Sequence, residues 1–166
     1  NLTLQSHPYM TLGDLRRDAK FRSVAVQGIG DRGYTGLHET DTGVIRFHRD
    51  HKVENTGTRT FEKTLPAYWR IIDAGRGGKP SGGYFNWIEP DGTTSQKYMY
   101  VVPLSQRTAD GKRLSVFVTT YLDEFTKPLR EAQAIQQKTA RNLLGTTSGL
   151  LGSFRDNGLL FMGMGI

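Results

Sequence analysis

Two aromatic segments joined by a polar turn constrain the fold more than any other feature of the sequence. The first runs from Gly82 to Ile88, the second from Lys97 to Pro103, and Asp91-Gly92 lies between them. Aromatic residues favour strands, and an Asp-Gly pair between two such segments is typical of a hairpin turn. The sequence therefore predicts two antiparallel strands at the centre of this chain.

The alternation of side chains assigns these residues to the two faces of the hairpin. Phe85 and Trp87 are predicted on one face of the first strand and Tyr84 on the other, while Lys97 and Tyr100 are predicted on opposite faces of the second strand. A sheet face that carries rings and an ammonium group suits a small polar or anionic ligand. The alternative is an ordinary half-buried sheet, because aromatic residues are favoured in strands in any case.

The remaining segments complete an α+β pattern. Hydrophobic periodicity and turn signals predict, in chain order, short helices at Leu12–Leu15 and Ala19–Val26, strands at Tyr34–Glu39 and Val44–His48, a helix at Phe61–Gly75, the two aromatic strands, a strand at Leu114–Leu122 and a helix from Asp123 onward. Strands that follow one another through tight turns form an antiparallel sheet, here of about five strands with flanking helices. This layout resembles PAS-like and profilin-like sheets.

Composition excludes several kinds of site. The 166 residues suit one domain with an ordinary core, and the absence of cysteine excludes disulfides and thiolate metal sites. Twenty-two basic against 16 acidic residues give a net charge of +6, which suggests nucleic acid or anionic lipid as partners. The basic residues are scattered among acidic ones, so a solvated basic surface is the better interpretation.

The motifs of catalysis and metal binding are not supported by their context. Residues 28–33 match G-x-G-x-x-G, but a predicted helix precedes them and a strand follows, the reverse of a dinucleotide site. His48 and His51 lack a third ligand at a recognised spacing. Asp123 and Glu124 are adjacent and typical of a helix N-terminus. The sequence thus predicts no catalytic residue, no metal and no cofactor.

Several segments resemble, in order, the motifs of single Cache domains, which are PAS-like extracytoplasmic sensor modules of bacterial receptors. These segments are Gly30–Leu37, Gly82–Trp87, Lys97–Val101 and Val118–Phe125, and the resemblance extends from about residue 11 to residue 126. Thr119-Thr120 departs from it by replacing the glycine that usually precedes the closing tyrosine.

The resemblance implies a periplasmic domain of an inner-membrane receptor, held as a homodimer between two membrane spans. It divides the chain into a sensing domain at residues 1–125, which includes a remnant of an N-terminal helix at 1–10, and a signalling helix at 126–157. Residues 158–166 are uncharged and are expected to begin a second span, the alternative being a segment that folds back on the core. Asp123-Glu124-Phe125 followed by Pro128 favours a sensor histidine kinase over a chemoreceptor.

The predicted ligand site is the cleft between the Phe61–Gly75 helix and the sheet. The candidate ligand-binding residues are Tyr68, Trp69, Tyr84, Trp87, Lys97, Tyr100 and His48. Lys97 and Tyr100 cannot both face the cleft unless a bulge separates them. If Lys97 faces the cleft, its ammonium group needs a carboxylate partner, which belongs either to the ligand or to an acidic residue of the protein. The first alternative gives the predicted ligand, a small organic anion such as a short carboxylate.

Two other classes of function remain open from the sequence. A nucleic-acid-binding module would use the positive charge and stack bases on exposed tyrosine and tryptophan rings. An enzyme on the same scaffold would need a nucleophile and a base, and no recognisable pair occurs. We therefore expect no nucleic-acid partner and no enzymatic activity in this domain.

Overall fold

The structure is a computed structural model that describes residues 9–162, with side chains described for residues 9–142. The chain divides into two compact units, Asn1–Glu124 and Phe125–Ile166. The first unit contains the sheet and all but one of the helices described below.

Four helices and six strands make up the described part of the chain. In order they are α1 (Leu12–Arg17), α2 (Ala19–Ala25), β1 (Gly28–Ile29), β2 (Gly33–Glu39), β3 (Ile45–Phe47), α3 (Pro66–Gly75), β4 (Ser81–Ile88), β5 (Thr94–Arg107), β6 (Arg113–Tyr121) and α4 (Leu122–Met162). Two short 3₁₀ turns, His51–Val53 and Thr58–Phe61, lie between β3 and α3.

The strands form one antiparallel sheet. The spatial order is β1-β2-β6-β5-β4, and β3 pairs with β2 beside this path. The predicted α+β class and antiparallel sheet are confirmed. The strand that the sequence did not predict is β1. It has only two residues, Gly28 and Ile29, which pair with β2 and are too few to give a sequence pattern.

Helix α3 begins later than its periodicity predicts. Phe61 lies in a 3₁₀ turn and the α-helix starts at Pro66. Proline is well accommodated at the first helical position, where no N–H partner is needed, and it disfavours helical geometry in the residue before it. Leu65 accordingly has φ −134° and ψ 64°.

The cross-strand register brings the face-sharing side chains into rows. Phe85 pairs with Lys97 across β4 and β5, and Lys97 pairs with Tyr121 across β5 and β6. In the next row Gly83 pairs with Met99. A Cβ on Gly83 would lie 3.4 Å from the side chain of Ile71, an ordinary van der Waals distance, so α3 packs directly over this row of the sheet.

Apolar side chains pack in two clusters within the first unit. One cluster unites α1 and α2 with residues of β2, β3 and β6, including Leu15, Phe21 and Phe47. The other packs the buried face of α3, with Tyr68 and Ile72, against β4, β5 and β6. The second cluster borders the cavity described below.

The second unit is the continuation of α4, which runs through Pro128 to Met162 without interruption. No helix in the described residues is both long enough and apolar enough to span a bilayer. Of the expected second span at 158–166, residues 163–166 lie outside the described residues, as do residues 1–8 of the expected N-terminal remnant.

Candidate functional site

A cavity of about 600 Å³ lies in the first unit, on the face of the sheet that carries Lys97. Residues of β4, β5 and β6 form its floor, and Phe61 and Tyr68 form one wall. The segment from His48 to Val53 supplies a second wall. The volume falls within the range of small-molecule sites in proteins.

Lys97 is the central charged group of this cavity. The residue is only 4% exposed, and its Nζ lies 4.8 Å from the ring centroid of Trp87 and 4.2 Å from that of Tyr121. None of the residues described with side chains forms a hydrogen bond or an ion pair with it. The ammonium group is therefore held by ring faces alone.

Burial lowers the pKa of Lys97 to about 8, since removal from water disfavours the charged form. The nearby guanidinium of Arg32 lowers the pKa further, whereas the carboxylate of Glu89 opposes both effects. At neutral pH the side chain remains mostly protonated, but near its titration point.

Glu89 is positioned by the turn between β4 and β5, where its N–H donates to the carbonyl of Thr93 at 2.8 Å. Its Oε2 accepts a hydrogen bond from the Tyr121 hydroxyl at 3.4 Å, and its buried Oε1 has no hydrogen-bond partner among the described residues. Burial, and next the bond to Glu89, raise the pKa of Tyr121 to about 12. Glu89 thus places one negative charge at the cavity without reaching Lys97.

Arg32 lies at the same end of the cavity but is already paired. Its guanidinium carbon is 3.8 Å from the centroid of the Tyr121 ring, and the group forms ion pairs with Asp123 and, at 3.3 Å, with Glu124. The charge of Arg32 is therefore compensated by protein carboxylates, unlike that of Lys97.

His48 and Tyr34 form a polar pair on the cavity wall. The Tyr34 hydroxyl is 2.9 Å from His48 Nε2, and the two rings meet edge to face at 4.9 Å. Burial lowers the pKa of His48, although contacts with Asp50 oppose that effect. The imidazole is accordingly neutral at pH 7, which leaves Lys97 as the buried cation of the site.

An aromatic group forms the apolar part of the cavity. The rings of Phe61 and Tyr68 are 5.6 Å apart at right angles, and those of Tyr68 and Phe85 are 5.4 Å apart. These separations are typical of favourable aromatic contacts. Because Phe85 is the cross-strand neighbour of Lys97, the apolar group begins directly beside the ammonium.

Neither a protein-family model nor a curated protein matches the chain. Among solved structures, the chain is similar to the periplasmic sensory domain of the Campylobacter jejuni chemoreceptor Tlp1, with 19% identity and a TM-score of 0.43. That alignment covers 61% of this chain and 32% of the chemoreceptor domain, about a third of its length. A PAS domain of an HTR-like protein from Haloarcula marismortui is similar at 8% identity and a TM-score of 0.43, over 63% of this chain and 90% of that domain.

The antiparallel strand order and the position of α3 against the face of β4 and β5 give the α+β, PAS-like layout that the sequence predicts.

Four of the predicted ligand-binding residues line the cavity of this PAS-like unit. These are His48, Tyr68, Trp87 and Lys97. Strand alternation places Trp87 and Lys97 there, and α3 contributes Tyr68.

The placement of Tyr84 and Tyr100 in the cleft is wrong. They are 57% and 41% exposed and lie on the opposite face of the sheet from Lys97. The register of β4 and β5 is continuous through both positions, so no bulge turns either ring toward the cavity. Strict alternation is the physical reason.

Trp69 is also absent from the cavity lining. It is 8% exposed and packs in the core cluster of α3, where the Arg76 guanidinium lies 4.8 Å from its ring. One helical step of 100° separates it from Tyr68, so the two rings point in different directions.

Sequence reasoning missed several residues of the cavity. Phe117, Thr119 and Tyr121 line it from β6, and Glu89 and Arg32 supply charge. The alternation of β6 was a usable signal for the first three. Glu89 and Arg32 lie in turns, where side chains do not alternate between two faces as they do along a strand, so the sequence does not predict where they point.

The first testable consequence concerns stability. We expect Lys97→Met to raise the free energy of unfolding at pH 7 by on the order of 1–3 kcal/mol, because burying the ammonium costs more than two ring contacts return. The folded pKa of about 8 lies below the unfolded value of 10.5. The unfolded chain binds more protons between these values, so wild-type stability rises with pH there and the advantage of the variant vanishes.

Urea unfolding between pH 6 and pH 10.5 measures this difference. Lys79→Met, at an exposed position, is the matched control and should show no such pH dependence. A Lys97→Met protein that is less stable than wild type at pH 7 would contradict the expectation.

Proposed function

We propose that the first unit is an extracytoplasmic sensing domain of a membrane signal-transduction receptor and that it binds a small organic anion in the cavity at Lys97. The observation that carries this proposal is a buried ammonium that borders open space and forms no ion pair or hydrogen bond with the described side chains, Glu89 being the nearby carboxylate that acts on it without contact.

The energetics favour an anionic ligand. Removing an ammonium from water costs several kcal/mol, whereas each contact with a ring face returns about 0.5–2 kcal/mol. A ligand carboxylate at Lys97 Nζ would supply the missing charge in a place where the rings of Trp87 and Tyr121 exclude water. Ligand binding would therefore relieve a cost that the free domain carries.

The same cavity adjoins the start of α4. Tyr121 is the last residue of β6, and α4 begins at the next residue. Glu124 accepts hydrogen bonds from the N–H groups of Asp31 and Arg32, at 3.2 and 2.9 Å. We call this set of bonds, with the ion pairs of Arg32 to Asp123 and Glu124, the Arg32 clasp.

A ligand that touches Lys97 and Tyr121 would act on the ring that also contacts Arg32. Any signal depends on binding one arrangement of the clasp more tightly than another, since only differential affinity shifts a population. The Arg32 clasp is our candidate for the element that ligand binding biases.

The receptor context is part of the proposal. The periplasmic location, the homodimer and the two flanking spans are supported by the order of the Cache-like segments in the sequence. Asp123-Glu124-Phe125 followed by Pro128 favours a histidine kinase as the output module, with a chemoreceptor as the alternative.

We expect at least one monocarboxylate from the series acetate, propionate, pyruvate, lactate and phenylacetate to bind saturably at pH 7. Because only protonated Lys97 attracts the anion, affinity should be constant below about pH 8 and then fall by up to tenfold per pH unit. Calorimetric titration from pH 6 to pH 9.5 measures this profile.

Lys97→Met should abolish that binding, and Lys79→Met should leave it unchanged. If no acid in the series saturates, or if binding survives in Lys97→Met, the proposed function is wrong.

A further expectation concerns the Arg32 clasp. A bound anion should slow hydrogen exchange at the amides of Asp31 and Arg32, because they donate to Glu124. The amide of Gly111, which donates to the carbonyl of Thr108 in the β5–β6 turn outside the cavity lining, is an internal control. If saturating ligand leaves the exchange rates of the Asp31 and Arg32 amides unchanged, the Arg32 clasp is not the element that ligand binding biases.

A further inference from the structure

The size of the cavity argues against the shortest acids as its natural occupants. Its volume of about 600 Å³ corresponds to roughly 20 waters at about 30 Å³ each. Acetate offers only one methyl group beyond its carboxylate, so it would leave most of this space to water. A site of this volume ordinarily buries a larger organic molecule.

The lining of the cavity is largely aromatic. Seven rings contribute to it, from Tyr34, Phe61, Tyr68, Phe85, Trp87, Phe117 and Tyr121. Ile45, Val53 and Met99 add aliphatic surface. Ring faces and edges at such density favour a flat apolar body, which gains aromatic contacts in addition to burial.

The charges of the cavity indicate a single negative group on the ligand. Lys97 is the buried cation that forms no ion pair with the described side chains, whereas Arg32 is already paired with Asp123 and Glu124. The half-buried carboxylate of Glu89 also lines the cavity and would repel a second anionic group. Arg49, a further cation of the lining, is exposed to solvent and therefore screened.

We propose that the ligand is a monocarboxylic acid with an aromatic body, which refines and rests on the function proposed above. Its carboxylate lies at Lys97 Nζ, between the rings of Trp87 and Tyr121. Its ring extends over Phe85 toward Tyr68 and Phe61, the aromatic group that starts beside the ammonium.

A matched series of four compounds tests this proposal by calorimetry at pH 7. Phenylacetate should bind about 10- to 100-fold more tightly than acetate, the gain expected from burying one phenyl ring. Phenylsuccinate should bind more weakly than phenylacetate because its second carboxylate is repelled by the carboxylate of Glu89. Phenylacetamide, which lacks the charge, should show no measurable affinity.

Two variants locate the aromatic body. Phe61→Leu should reduce the advantage of phenylacetate over acetate severalfold, because it removes a ring from the aromatic group. Tyr84→Leu, on the opposite face of the sheet, should change neither affinity.

The outcomes separate the two proposals. Equal affinity for acetate and phenylacetate, with both lost in Lys97→Met, overturns the aromatic body and leaves the anion-sensing function intact. If phenylsuccinate binds more tightly than phenylacetate, the proposal that the ligand carries a single negative group is wrong. Failure of every acid to bind overturns the sensing function together with this refinement.

Discussion

The burial of one ammonium group between two rings is the interaction on which this account depends. Lys97 lies in a row with Phe85 and Tyr121, which is fixed by the registers of three neighbouring strands, β4, β5 and β6. Because the strands cannot slip by one residue without turning every side chain over, the lysine cannot escape to solvent. The sheet thus holds a desolvated ammonium group beside an open cavity, and a ligand anion would offset the free-energy cost of this desolvation.

The sequence predicted the part of this site that depends on periodicity. Alternation placed Phe85, Trp87 and Lys97 on one face, and the turn at Asp91-Gly92 fixed the hairpin; Gly92 has φ +83° as such a turn requires. Alternation also implied that Tyr100 could not share that face. The face of the sheet that is covered depends on where α3 packs, and no local sequence pattern encodes the position of that helix. The sequence alone could therefore not exclude Tyr84 and Tyr100 from the cavity.

Other features arise from contacts between distant segments and could not be read locally. Gly30 belongs to the G-x-G-x-x-G match, which runs from β1 into the start of β2 with no helix after it. It has φ +61°, and a Cβ there would lie 2.4 Å from Glu124 Oε2. The glycine makes room for a carboxylate 94 positions away in the chain, which caps the turn at Asp31 and Arg32. The first and last of the Cache-like segments therefore contact each other through the Arg32 clasp, and this contact gives both motifs a structural reason.

The most direct test of the account is the titration of the Lys97 side chain itself, followed by NMR of its labelled ε-carbon in the free protein and with saturating phenylacetate. We expect the free side chain to titrate at about pH 8 and the bound anion to move the titration upward toward the ordinary lysine range. A free Lys97 that titrates at the ordinary value of 10.5 and does not respond to any anion would contradict the central claim, because the ammonium would then be neither desolvated nor in need of a partner.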